Sequence, residues 1–159
     1  MNHLFATWRM DYIKIEKPAG CIFCDFPSMN KDDEHYILAR EAACFVIMNL
    51  YPYNPGHLMV VPYRHTNVYE SLSRAETADM ARLTAHALAV LKRVMNPDGF
   101  NVGMNLGKAA GAGIDEHLHQ HIVPRWGGDC NFMPVISDTR VVPEAMAATY
   151  KKLKSEWNI

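Results

Sequence analysis

Charge of one sign is scarce in this chain: 16 Lys and Arg stand against 17 Asp and Glu, a formal net charge of −1. No global field exists for a nucleic-acid backbone or an anionic membrane, so any phosphate site must be built locally. Long apolar runs are missing too. The longest, such as Cys44-Phe-Val-Ile-Met48, fall far short of the ~20 residues of a membrane span. Residues 1–11 contain Arg9 and Asp11 and no apolar core, so no secretory signal is expected and the cytoplasm is the expected location. Four cysteines in 159 residues do not make a disulfide scaffold, and cytoplasmic thiols stay reduced. No internal repeat, low-complexity tract or linker is found. With 49% hydrophobic and 21% charged residues, the chain is neither disordered nor collagenous, and its length suits one domain over 1–159.

Residues 1–20 read as an irregular arm ending in Lys17-Pro-Ala-Gly20, within an N-terminal segment 1–30 that carries a C-x-x-C pair. Residues 36–40 and 43–49 are β-rich and flank Glu41-Ala42, which predicts a hairpin. Leu50-Tyr-Pro-Tyr-Asn-Pro-Gly56 is turn chemistry, because two prolines and a glycine break any ladder. Residues 57–62 form the next strand. Ser73 with Glu76 three residues on is a capping box, which supplies acceptors for the unpaired amides of a helix start. Met80, Leu83, Ala87, Leu88, Leu91 and Val94 then recur at helical spacing, and Asn96-Pro-Asp-Gly99 stops the run. Residues 100–105 and 117–123 read as strands around a Gly/Ala-rich loop at 107–113. Residues 143–157 read as a closing helix with Pro143 at its start. Strands with few helices between them pair antiparallel. A sheet of four to six such strands under one long helix is the α+β solution, here with about five strands and a C-terminal helix.

Histidine is what the chain has in excess: eight in all, three of them within five residues. His117, His119 and His121 alternate with Leu118, Gln120 and Ile122. In a strand, residues two apart share a face, with Cα atoms ~6.5–7 Å apart. Three imidazoles then line one face, and Gln120 points to the other, under the C-terminal segment. Three hydrogen-bonded structural histidines or a three-histidine zinc cluster are the plainer readings. The preceding segment, Asn105-Leu-Gly-Lys-Ala-Ala-Gly-Ala-Gly-Ile114, lets backbone amides approach an anion closely. It is not a Walker loop, because Lys108 lacks the required neighbours, and by itself it could be a flexible turn. Cys21 and Cys24 offer two thiolates to a metal, or are surface thiols. The redox reading needs a strand-to-helix turn, which Pro18-Ala-Gly20 does not suggest. Cys44, inside an apolar run, reads as a small core residue, and Cys130 has no evident partner.

His117-Leu-His-Gln-His-Ile-Val123 resembles the signature of the histidine-triad (HIT) family. Asn49 and Pro55-Gly-His57 resemble the family's ribose-contact position and the turn into its central strand. Trp8-Arg-Met-Asp-Tyr-Ile13, Cys21-Ile-Phe-Cys24, Val123-Pro-Arg-Trp126 and Gly128-Asp-Cys-Asn-Phe132 resemble a bacterial branch that includes diadenosine tetraphosphate phosphorylase-like proteins. The resemblance implies a HIT-like fold and a homodimer built on helix 73–95 and an adjoining strand. It implies hydrolysis or transfer at the α-phosphate of a dinucleoside polyphosphate or nucleotide conjugate. His119 would attack phosphorus and form a nucleotidyl-histidine, its other ring nitrogen held by a backbone carbonyl. His121 would contact the phosphate or the leaving oxygen. Asn49, His57, Asn105, Gly107, Gly111 and Gly113 would bind the nucleotide with both histidines. Water or orthophosphate would accept the nucleotidyl group, and no catalytic metal is required. The alternative is a non-catalytic module that binds purine nucleotides; a zinc-stapled structural protein with an inert triad is a third class. Where the family carries a hydroxyl residue this chain has Ile114, and its loop is one residue longer. The resemblance also implies a structural zinc on Cys21, Cys24, His65 and His117, with His35 as a rival ligand. His86 is expected to be a helix residue without a role.

Overall fold

Side-chain alternation along five strands creates two unlike faces. In the computed structural model, which describes residues 20–129 and 144–157, the strands are β1 (Ile37–Arg40), β2 (Cys44–Met48), β3 (Leu58–Pro62), β4 (Gly99–Met104) and β5 (Gln120–Arg125). They pair antiparallel in the order β1-β2-β3-β5-β4. The helices are α1 (Ile22–Ser28), α2 (Asp32–His35), α3 (Arg74–Met95) and α4 (Met146–Ser155). This is the expected α+β architecture. Among the described residues, no helix is long and apolar enough to cross a membrane.

One face is closed by α3. Val46 and Met48 of β2, Leu58 and Val60 of β3, and Ile122 of β5 pack against Met80, Leu83, Ala87, Val90 and Leu91. The capping box that starts α3 is complete: Glu76 N donates to Ser73 Oγ at 3.2 Å, and Ser73 N donates to Glu76 Oε2 at 2.7 Å. Asn96 ends the helix in the left-handed region at φ 46°, which asparagine tolerates better than most residues. Tyr150 and Leu153 of α4 join the same core, and the Tyr150 hydroxyl donates to Asp33 Oδ1 at 2.8 Å. The helix expected from Pro143 begins only at Met146; Pro143 lies outside the described residues, as do the 1–19 arm and Cys130.

The other face carries a smaller cluster of Ile37, Phe45, Ile47, Met59 and Val61 around Phe23 of α1. Neither α1 nor α2, both beyond the 1–20 arm that reads as irregular, was expected. Their cause is tertiary: seven residues do not make a stable helix alone, but Phe23 is buried against the sheet. The triad strand also begins later than residue 117. Leu118 N donates to Thr66 O at 2.7 Å rather than to a strand, and β3 pairs with β5 only through Gln120, His121 and Ile122. Only His121 of the three histidines is therefore a strand residue. Gln120 does point to the opposite face, but its amide donates to Thr84 Oγ1 of α3 at 2.9 Å, so its partner is the long helix.

Candidate active site and metal centre

Two hydrogen-bond chains set the protons of the buried histidines. The Nδ1–H of His119 donates to the carbonyl of His117 at 2.8 Å. That carbonyl is the acceptor the resemblance called for. It leaves the lone pair of His119 on Nε2. Burial lowers the pKa of His119 below its usual 6.5, against the opposing pull of that carbonyl. The second chain starts at Tyr53, whose backbone N–H donates to His57 Nδ1 at 3.1 Å. With Nδ1 occupied as acceptor, His57 carries its proton on Nε2 and donates to His121 Nδ1 at 2.9 Å. His121 therefore carries its own proton on Nε2. One triad member presents an acceptor nitrogen and its neighbour a donor.

A pocket opens beside them. Its walls come from Ile22, Phe23 and Phe26 of α1, from Ile47 to Tyr51 and Tyr53, from Met59 and Asn105, from Gly111, Gly113 and Ile114, and from His119 and His121. The expected nucleotide contacts Asn49, Asn105, Gly111 and Gly113 are thus brought together with both histidines. His57 is fully buried behind His121, and neither it nor Gly107 is a wall residue. Asn49 Oδ1 accepts from Tyr51 N at 2.9 Å. Gly107 (φ 80°) and Gly111 (φ 89°) flank a one-turn helix at Lys108–Ala110. Two of the loop amides bond within that turn, Ala110 N to Gly107 O and Gly111 N to Lys108 O. Ile114 packs on the Phe23 cluster, so apolar surface stands where the family carries a hydroxyl. The wall from α1 was missed; the signal for it was the helical spacing of Ile22, Phe23 and Phe26 beside the C-x-x-C pair.

The cysteines lie at the start of α1. Cys24 N and Asp25 N both donate to Cys21 O at 2.9 Å. Cys21 is thus the N-cap residue of α1, and Cys24 lies inside its first turn. The sulfurs face two histidines: Cys21 Sγ is 3.3 Å and Cys24 Sγ 3.6 Å from His117 Nδ1, and Cys24 Sγ is 3.4 Å from His65 Nδ1. All four ligand atoms lie within 4.8 Å of one another. A tetrahedral zinc with two sulfur and two nitrogen ligands has edges of about 3.6–3.8 Å between unlike and sulfur pairs; the three sulfur–nitrogen distances are close to this, and two thiolates with two imidazoles are a donor set that suits the ion. His117 Nε2–H donates to Pro62 O at 2.8 Å, which turns the Nδ1 lone pair toward the sulfurs. Burial and the neighbouring Cys21 sulfur raise the Cys24 thiol to about 11, a cost that a bound cation would reverse. His35 is not in this group; it stacks on Phe26 with centroids 4.1 Å apart. His86 packs on Trp157 at 5.2 Å, away from the site.

A model of the HIT domain matches residues 30–128. The chain belongs to the HIT family. Among HIT relatives, it is 47% identical over 167 aligned residues to a Mycobacterium tuberculosis protein named AP-4-A phosphorylase, covering 99% of this chain and 85% of that one. It is 35% identical over 81 residues to a bis(5'-adenosyl)-triphosphatase of Dictyostelium discoideum, covering 51% and 54% of the two chains. In fold the HIT chain is similar to a zinc-bound histidine triad family protein of Mycobacterium smegmatis, with a TM-score of 0.69 at 22% identity over 87% of this chain and 93% of that one.

Proposed function

We propose that the protein cleaves dinucleoside polyphosphates at the α-phosphate by double displacement, with His119 as the nucleophile. The opposite protonation of two adjacent imidazoles carries this reading. The Nε2 lone pair of His119 attacks the α-phosphorus. The bond to the bridging oxygen breaks, and the leaving nucleotide departs with that electron pair. The Nε2–H of His121 donates to the departing oxygen, and His57 holds His121 in the tautomer that allows this. Asn49, Asn105 and the loop at Gly107, Gly111 and Gly113 hold ribose and phosphate oxygens. An orthophosphate or water oxygen then forms the new bond to phosphorus as the phosphorus–Nε2 bond breaks. The 47% identity to an AP-4-A phosphorylase supports diadenosine tetraphosphate as substrate and orthophosphate as acceptor.

The test is incubation with radiolabelled diadenosine tetraphosphate, quenched in denaturant at alkaline pH, where a phosphorus–nitrogen bond survives. Label should remain on the wild-type protein and not on His119→Ala. Label on both would reject the assignment. Products with and without orthophosphate identify the acceptor: ADP marks a phosphorylase, AMP a hydrolase.

A structural zinc on Cys21, Cys24, His65 and His117 belongs to the same reading. It would tie the start of α1 to the residue whose carbonyl holds His119. The protein is further read as a cytoplasmic single-domain homodimer. The outer strand β4 exposes Asn101, Val102 and Gly103, a sheet edge that no described strand covers and that pairing with a second copy would close. A monomeric mass by light scattering at micromolar concentration would reject the dimer.

A further inference from the structure

We infer that Lys108 binds the phosphate next to the one attacked, first on the leaving nucleotide and then on the incoming orthophosphate. It would therefore select polyphosphates as substrates and orthophosphate over water as acceptor. This rests on the nucleotidyl-transfer reading above.

The pocket wall contains no lysine, arginine or carboxylate side chain among the described residues. Neutral groups suffice for one phosphate, but a dinucleoside polyphosphate brings a negative charge on every phosphate of its bridge. In an in-line displacement the leaving group lies opposite the attacking nitrogen, so the bridge runs away from His119. The loop that forms part of that wall, through Gly111 and Gly113, is otherwise built of glycine and alanine from 107 to 113. Lys108 is its one charged side chain.

Lys108 is also weakly engaged. Its Nζ lies 3.6 Å from Asp115 Oδ2, and its side chain is 84% exposed. Exposed pairs of this kind contribute about 0–1 kcal/mol. Asp115 follows Ile114, a wall residue, and the pair leaves the ammonium unlocked. Other described cations are held more closely: Arg40 at 2.7 Å by Asp32, Arg64 at 2.8 Å by Glu76, and Arg125 at 2.6 Å by Asp129. None of them lines the pocket.

The acceptor must enter where the leaving group left, because His119 covers the opposite side of the phosphorus. As an orthophosphate oxygen bonds to the α-phosphorus, the phosphorus–Nε2 bond breaks and its electron pair returns to His119. The orthophosphate keeps its own proton and becomes the β-phosphate of the product. It therefore occupies the position that the first leaving phosphate held, beside Lys108. Water carries no charge and gains nothing from the same ammonium.

The experiment compares diadenosine tetraphosphate with the p-nitrophenyl ester of AMP, which has one phosphate and a leaving group without any. Lys108→Ala should lower kcat/KM for the tetraphosphate about tenfold or more, the scale of one charge-assisted hydrogen bond. The ester should change by less than about twofold. Lys108→Arg should retain most of the tetraphosphate activity. At fixed orthophosphate, the ADP:AMP product ratio should fall about fivefold in Lys108→Ala. Equal losses on both substrates, no loss on the tetraphosphate, or an unchanged product ratio would overturn the inference. Wild-type protein that makes AMP alone at millimolar orthophosphate would overturn its acceptor half. Wild-type protein that turns over neither substrate would instead sink the nucleotidyl-transfer reading itself.

Discussion

On one face of the sheet, Val46, Leu58, Val60 and Ile122 meet Leu83, Ala87 and Leu91 of the 22-residue helix α3. On the other, Phe45, Ile47, Met59 and Val61 meet Phe23 of the seven-residue helix α1, beside a pocket and buried histidines. The same strands supply both faces, because their side chains alternate. The first face is closed by apolar area and by a helix capped at its start. The second leaves room for a ligand, and its short helix has no side-chain cap. What holds that helix in place is Phe23 and the Cys/His group at its N-terminus. Stability is concentrated on the face of α3, and chemistry on the face that packing alone closes poorly.

The sharpest way to separate the faces is His119→Ala. Turnover should fall by at least about a hundredfold, roughly 2.7 kcal/mol of barrier, with the thermal midpoint nearly unchanged. Steady-state kinetics and a melting curve on one preparation check it; more residual activity would remove His119 from the nucleophile's role. Leu83→Ala is the converse. Leu83 is fully buried under the sheet, so its truncation should cost about 2–5 kcal/mol in urea unfolding. The remaining folded protein should keep its KM. A cost under about 1 kcal/mol would show that α3 is not the main source of stability.

Cys21→Ser/Cys24→Ser probes the weaker face. Zinc measured on protein purified without chelator should disappear, and the midpoint should drop by roughly 4–8 °C for a loss of order 2 kcal/mol. Activity should fall without vanishing, since His119 still has the carbonyl of His117. Near-zero zinc in wild-type protein would discard the ligand set. The smallest effect belongs to the start of α3. Hydrogen bonding from Arg64 holds the Glu76 carboxyl at about 2, below its unfolded value of about 4.3. A carboxylate with a depressed folded pKa stabilises the protein fully above the unfolded value, and the contribution is lost as pH falls through the folded one. Glu76→Gln should therefore cost about 1 kcal/mol at pH 7, and the difference from wild type should fade between about pH 4.3 and 2. Urea unfolding at several pH values reads it; a constant difference across that window would contradict the ion-paired role.

Much of this could be read from local pattern. Alternation placed β1 to β4 within one or two residues of their observed ends, and the Ser73/Glu76 box marked the start of α3. The strict spacing of His117, His119 and His121 pointed to the site. Where local pattern failed, a distant partner had decided the outcome. The late start of β5 follows from the Leu118–Thr66 bond. Helix α1 follows from the burial of Phe23. The ligand set was expected: His65, and not its rival His35, lies with the cysteines, since His35 stacks on Phe26 and His65 follows β3, whose Pro62 carbonyl anchors His117.

By itself, the sequence determined the alternating strands, the capped helix, the balanced charge and the chemistry that three neighbouring imidazoles and two thiols can perform. These depend on residue type and on spacings of two to four, which the backbone enforces locally. Tertiary structure alone decided which nitrogen of His117 and His121 carries the proton and that α1 walls the pocket, and it brought the four side chains expected to hold zinc within reach of one ion. Those depend on partners far away in sequence, as His57 is from His121 and as Pro62 and Cys21 are from His117. Hydrogen bonds of about 3 Å discriminate between tautomers only when the fold has brought donor and acceptor together.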